Sequence, residues 1–141
     1  QVLVQTYNPE HYAIVAAAAQ DYDVFAAQEL EYRQRMNYPP YCRLGRLLWT
    51  CASEALIQDQ MDLVASIVKP LKEDGAIIPG LSVLGPVPAP FPKIGGLLRH
   101  HLILKASDPG TLKKAIDFIL NEFKAPATLR LQIDIDPVSL M

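Results

Sequence analysis

Two runs of apolar residues at helical spacing restrict this chain more than anything else in it. Ile57, Met61, Val64, Val68 and Leu71 fall at i, i+4, i+7, i+11 and i+14, and Leu112, Ala115, Ile116, Ile119, Leu120 and Phe123 repeat the one-sided pattern. Burying each large side chain is worth about 1.5–3 kcal/mol, so both helices must dock on an apolar surface. The segments around them read as the strands of one. Arg43 to Cys51 is strand-like, with Trp49 and Cys51 on one face, and Leu81 to Leu84 is a short strand. His100 to Lys105 carries an unbroken Leu102-Ile103-Leu104, which suits a central strand. Leu129 to Asp136 alternates apolar and polar, as a strand with one wet face does. The order strand, helix, strand, strand, helix, strand specifies an α+β fold. Two helices on one face of a four-stranded antiparallel sheet, joined by right-handed crossovers, is the ferredoxin-like βαββαβ sandwich.

Local signals set the expected boundaries. Ser53 caps a helix from Glu54 to about Lys72, and Pro70 should fray or end it. Asp108-Pro109 opens the second helix with a cap and a proline at its first turn. Residues 75–80 read as a turn, and 85–96 as a long loop stiffened by alternating prolines, with Gly95-Gly96 a hinge or tight turn.

The first 41 residues follow a different pattern. Gln1 to Thr6 contains Val2-Leu3-Val4 and reads as a strand, yet a lone short strand needs a sheet. Its partners are expected in sequence beyond this chain, which would make the chain a piece of a longer protein. Asn8-Pro9 reads as a helix start, with Ala-rich helix to about Ala19, and Asp21 as the cap of a second helix to about Met36. Phe25, Tyr32 and Met36 give that helix a sparse apolar stripe, and Glu29-Arg33 is an i,i+4 pair. Tyr38-Pro39-Pro40-Tyr41 must stop it. We therefore expect two parts, 1–41 and 42–141. Residues 1–36 carry net −3, as a solvated segment does.

Little in the chain suggests chemistry. No glycine-rich phosphate loop or acidic helicase box is present, so catalysis by this chain is not expected. Cys42 and Cys51 are too few for a structural zinc site and read as thiols in a reducing cytosol. Adjacent His100 and His101 on a strand point to opposite faces and cannot share a metal ion. Asp134 and Asp136 read as solubilising charges on an edge strand. No apolar run approaches the roughly 20 residues of a membrane span.

The net charge of −2 argues against a strongly basic nucleic-acid binder, so any such role must rest on local clustering. Residues 76–107 hold Lys93, Arg99 and Lys105 and neither Asp nor Glu. Phosphate binding is one reading of that stretch, and chance clustering in a hydrophobic segment is the other.

Several of these residues match a known pattern. Val2-Leu3-Val4-Gln5-Thr6, Pro9-Glu10-His11, Asp21-Tyr22, Phe25, Glu29-Leu30, Arg33 and Tyr38-Pro39-Pro40-Tyr41 resemble the end of the second helicase lobe of the PriA (primosomal protein N′) family. Val83-Leu84-Gly85-Pro86-Val87-Pro88-Ala89-Pro90, with Lys93, Gly96, Arg99 and Leu102-Ile103-Leu104-Lys105, is similar to the signature of its C-terminal domain, and Ile133-Asp134-Ile135-Asp136-Pro137 to its closing strand. The resemblance implies an ATP-dependent 3′-to-5′ DNA helicase of the cytoplasm that recognises stalled forks and rebuilds the primosome. It implies forked or single-stranded DNA, single-stranded DNA-binding protein and primosome proteins as partners, and ATP with magnesium and structural zinc held upstream of this chain. It also implies that the C-terminal domain contributes DNA binding, with Lys93, Arg99 and Lys105 at matched positions as the nucleic-acid contacts; separately from the resemblance, Lys113 and Lys114 are candidates for partner docking. The family's basic-aromatic run before the Leu-rich strand is reduced here to Gly95-Gly96-Leu97-Leu98-Arg99-His100, short of two arginines and two aromatics.

Two functional readings follow, a DNA-binding accessory domain and a purely structural or protein-docking domain. A free-standing regulatory domain that binds a small molecule fits the topology but not the helicase-like tail.

Overall fold

The computed structural model describes residues 2–140. It divides into two compact units, residues 1–37 and 38–141.

The first unit is a helical hairpin, α1 (Tyr12–Ala19) and α2 (Tyr22–Arg35). Residues 2–6 form no strand: Val2 and Leu3 are almost fully exposed and the segment bonds to no sheet. Gln1, included in the expected strand, lies outside the described residues. The first helix also starts later than expected. The Thr6 hydroxyl accepts the Asn8 amide, and the His11 amide donates to the Asn8 carbonyl at 3.2 Å. Pro9 thereby occupies the second position of a β-turn, which suits its fixed φ as well as a helix start does. His11 becomes the cap, its Nδ1 accepting from Ala13 N. Asp21 caps α2 as its position suggests, accepting from Val24 N at 3.0 Å. The Tyr12 hydroxyl donates to Glu29, which also pairs with Arg33 at 2.6 Å, and both hold that carboxyl below its usual range.

The second unit is a four-stranded sheet of β1 (Arg43–Cys51), β2 (Leu81–Ile94), β3 (Leu97–Ala106) and β4 (Arg130–Ile135) with α3 (Glu54–Glu73) and α4 (Pro109–Glu122). The strand order is β2-β3-β1-β4, with every neighbour antiparallel, as the βαββαβ reading requires. Both helices pack on one face, where Leu47, Trp49, Leu102 and Leu104 are sealed from water beneath Ile57, Val64, Val68 and Ile119. Trp49 meets the edge of Phe123 at 5.9 Å between ring centroids. Gly45 lets α4 approach closely, because a Cβ there would stand 2.8 Å from Leu112 Cδ1.

Ser53 and Asp108 cap α3 and α4, accepting from Leu56 N and Thr111 N. Three hydrogen bonds from Thr111 and Ser107 hold the Asp108 carboxyl down at about 2. Pro70 does not end α3, which runs on to Glu73. Proline there removes only one amide donor in the last turn, and Asp74 N still closes on the Pro70 carbonyl at 3.0 Å.

The largest departure is β2. The segment expected to be a four-residue strand and a loop is one strand through Ile94, with register shifts between Leu84 and Val87 and between Pro88 and Lys93. It lies at the sheet edge, where proline's missing amide costs no ladder bond on the solvent side, and the bulges absorb the rest. Lys72 Nζ donates to the Gly85 carbonyl at the first irregularity. Gly95 and Gly96, both at positive φ, make the tight turn into β3.

Candidate nucleic-acid interface

The face of the sheet turned away from α3 and α4 follows from strand alternation. In β1, Leu47, Trp49 and Cys51 point to the helices, so Leu44, Arg46, Leu48 and Thr50 point the other way. Register then aligns their neighbours: Arg46 with Ile103 and Asp134, Leu48 with His101 and Gln132, Thr50 with Arg99 and Arg130, and Leu44 with Lys105. Arg46, Arg99, Lys105 and Arg130 therefore share one face.

One end of this face is apolar. Cys42, Leu44 and Ile103 form a small buried cluster with Tyr38 and Leu140 against it. Lys105 Nζ sits 3.7 Å from the Tyr38 ring centroid, a cation–π contact. Arg46 is 6% exposed and donates from Nη1 to the Ser139 carbonyl at 3.3 Å, so the chain after β4 crosses this part of the sheet. Asp136 anchors that crossing: its carboxylate pairs with Arg43 and accepts Leu44 N at 3.0 Å, while its own amide donates to the Leu44 carbonyl. It is thus a structural tie rather than the solubilising charge its alternation suggests.

The other end is a polar hollow of about 210 Å³ lined by Arg46, Leu48, Arg99, Gln132 and Asp134. Burial pushes the Arg46 pKa down, as does the Arg99 charge, and Asp134 opposes them. His101 is buried beside it, and burial followed by Arg46 and Arg99 holds its pKa below the usual imidazole value. His100, on the helix side of the same strand, is lowered by burial alone.

The three bases expected to act together are not gathered at one point. Arg99 and Lys105 share the open face but stand six residues apart along β3, about 20 Å at strand spacing. Arg99 Nη1 donates to the Phe91 carbonyl at 3.1 Å, tying the two arms of the hairpin. Lys93 is exposed and pairs in register with Leu98, which packs against the helix-side core, so its Cβ is directed to the other side. Lys113 and Lys114 are exposed on α4, away from the open face, and Lys113 pairs with Asp117 at 2.5 Å. Lys113 also lines a groove of about 250 Å³ with Arg43, Leu112, Ile116 and Ile135.

Arg46 and Gln132 carry no motif, and Asp134 belongs to the closing-strand pattern without being marked there as a site residue. The signal they share in the sequence is phase, since each alternates with residues that point into the core. Among the described residues, no three His, Cys, Asp or Glu side chains come close enough to hold a metal ion, and no helix is long and apolar enough to cross a membrane.

Comparison with known proteins places the fold in a family. Residues 34–138 match the model of the primosomal protein N C-terminal domain, and the chain belongs to that family. It is 30% identical over 140 residues to the replication restart protein PriA of Treponema pallidum and 31% identical over 140 residues to that of Synechocystis. The Haemophilus influenzae protein of the same name is 30% identical over 141 residues. Each alignment takes in 99% of this chain but only 20%, 16% and 19% of the respective relative, so the chain spans about a fifth of their length.

Proposed function

We propose that this chain is the non-catalytic C-terminal part of a replication restart helicase, and that it contributes DNA binding through its open sheet face. The observation that carries the reading is that Arg46, Arg99, Lys105 and Arg130 share that face, spread along it, in a chain whose net charge is −2. Family membership and the names of the relatives support the restart role. In this reading the whole protein is a cytoplasmic, ATP-dependent 3′-to-5′ helicase that recognises stalled forks and meets single-stranded DNA-binding protein and primosome proteins. ATP with magnesium, and structural zinc, belong to its other domains.

Contacts of this kind neutralise phosphates without reading sequence. Arg46 is buried, so Arg99, Lys105 and Arg130 are the contacts that reach solvent, and three of them on a single strand give a log–log salt slope of about −2. The test is binding of single-stranded and forked oligonucleotides to the chain across a salt series. A slope near zero, or no binding at low salt, would sink the reading. The docking alternative would then lead, and one observation already favours some role for it. Part of the open face is occupied by the chain's own Ser139 and Leu140, which leaves less of it for DNA.

A further inference from the structure

The polar hollow on the open face is poorly suited to a phosphate and well suited to a base. Arg46 and Arg99 supply donors from β1 and β3, but Asp134 on β4 stands among them, and a carboxylate repels a phosphodiester. Leu48 lines the hollow as an apolar surface, with the buried His101 next to it in register. Arginine donors on one side and a carboxylate on the other suit a flat heterocycle that has acceptors and donors on its own edge.

The donor count selects the base. A carboxylate accepts two parallel N–H bonds most favourably, and guanine alone among the DNA bases presents two adjacent donors, N1–H and N2–H, on its pairing edge. Guanine also offers O6 and N7, the acceptors that arginine favours. That pairing edge is hidden in a duplex, so the base must be unpaired. A volume of about 210 Å³ admits one base and not a base pair.

We propose that this hollow is a subsite for a single unpaired guanine of a DNA strand. Asp134 accepts from guanine N1 and N2, and Arg99 donates to its O6 or N7. Gln132 flanks the base with an amide that can both donate and accept. Arg99 spends Nη1 on the Phe91 carbonyl, which fixes the guanidinium in place, and a guanidinium fork carries further donors beyond that one. The inference rests on the DNA-binding reading above and adds a base preference to it.

The experiment titrates the whole chain against a fluorescent oligothymidylate of about 12 nucleotides and against the same strand with one central dG, dA or dC. Expected is a preference for the dG strand of about fivefold or more, the lower bound for a bidentate base contact at a wet site. Asp134→Asn keeps the shape and removes the second acceptor. It should abolish the dG preference and at the same time tighten binding of plain oligothymidylate, because one negative charge is gone. Equal affinity for all four strands overturns the guanine subsite while leaving DNA binding intact. So does an Asp134→Asn variant that tightens every strand by the same factor, since Asp134 is then only a repulsive charge. Absence of binding to every strand at low salt overturns this inference and the DNA-binding reading together.

Discussion

The two faces of this sheet are made by the same strands from alternate residues, yet they have opposite characters. On the helix side, Leu47, Trp49, Leu102 and Leu104 are fully buried. On the other, Arg46 and His101 are buried polar groups, and Lys105, Arg99 and Asp134 reach solvent to different degrees. The helix side obtains its stability from area removed from water. The open side holds charge, which is met by solvent, by the tail after β4 and by polar or aromatic neighbours such as the Phe91 carbonyl and the Tyr38 ring. Strand alternation offers every sheet two faces, and the placement of both helices on one of them decides which is core and which is surface.

The sharpest way to break this division is to hollow out the covered face. Trp49→Ala should cost about 3–5 kcal/mol, measured by chemical denaturation, a large share of the roughly 5–15 kcal/mol that holds a small domain folded. The folded fraction should still bind oligonucleotides with unchanged affinity, because no open-face group is touched. Gly45→Val tests the close approach of α4 to β1. Its added methyls press on Leu112 and Ile116 and should lower stability by about 1–3 kcal/mol. An unfolding free energy equal to that of the parent would mean that α4 has room to spare.

Smaller effects probe the frame around the faces. Ser53→Ala removes the cap of α3 and should cost about 1 kcal/mol in the same denaturation assay, with no change in DNA affinity. At the open face DNA binding should change as well. Arg99→Ala with Lys105→Ala should cost about 1–2 kcal/mol in all, because the pair gives up the Phe91 hydrogen bond and the Tyr38 cation–π contact. The single-strand salt slope should flatten by about 1.4, or 0.7 for each lost contact. Lys113→Ala with Lys114→Ala on α4 should leave that slope unchanged. Equal flattening by both pairs would show that binding follows total charge and ignores the division between faces.

Much of the covered face was legible before any coordinates. The stripe from Leu112 to Phe123, the strand from Arg43 to Cys51 and the caps at Asp21, Ser53 and Asp108 each rest on local periodicity or a short-range hydrogen bond. The errors share a different cause. Pro9 suits a turn or a helix start equally well, and Thr6 decided between them. The prolines of 85–96 forbid an interior strand but not a bulged edge strand, and edge position is a property of the whole sheet. Val2-Leu3-Val4 has strand composition but no strand to pair with among the described residues.

The candidate site was less legible than the fold. Lys93, Arg99 and Lys105 share one stretch of sequence free of Asp and Glu and match positions of the family pattern, whereas register sends Lys93 to one side and spaces the other two along β3. Arg46 and Asp134, 88 positions apart in the chain, are direct partners across β1 and β4. By itself the sequence determined which residues face a core and where α2, α3 and α4 begin, since these depend on spacing and caps within a segment, and the order of the elements specified an antiparallel sheet. Only the tertiary structure decided which charges meet, because the pairing of strands distant in sequence depends on how the helices and bulges set the register of the whole sheet.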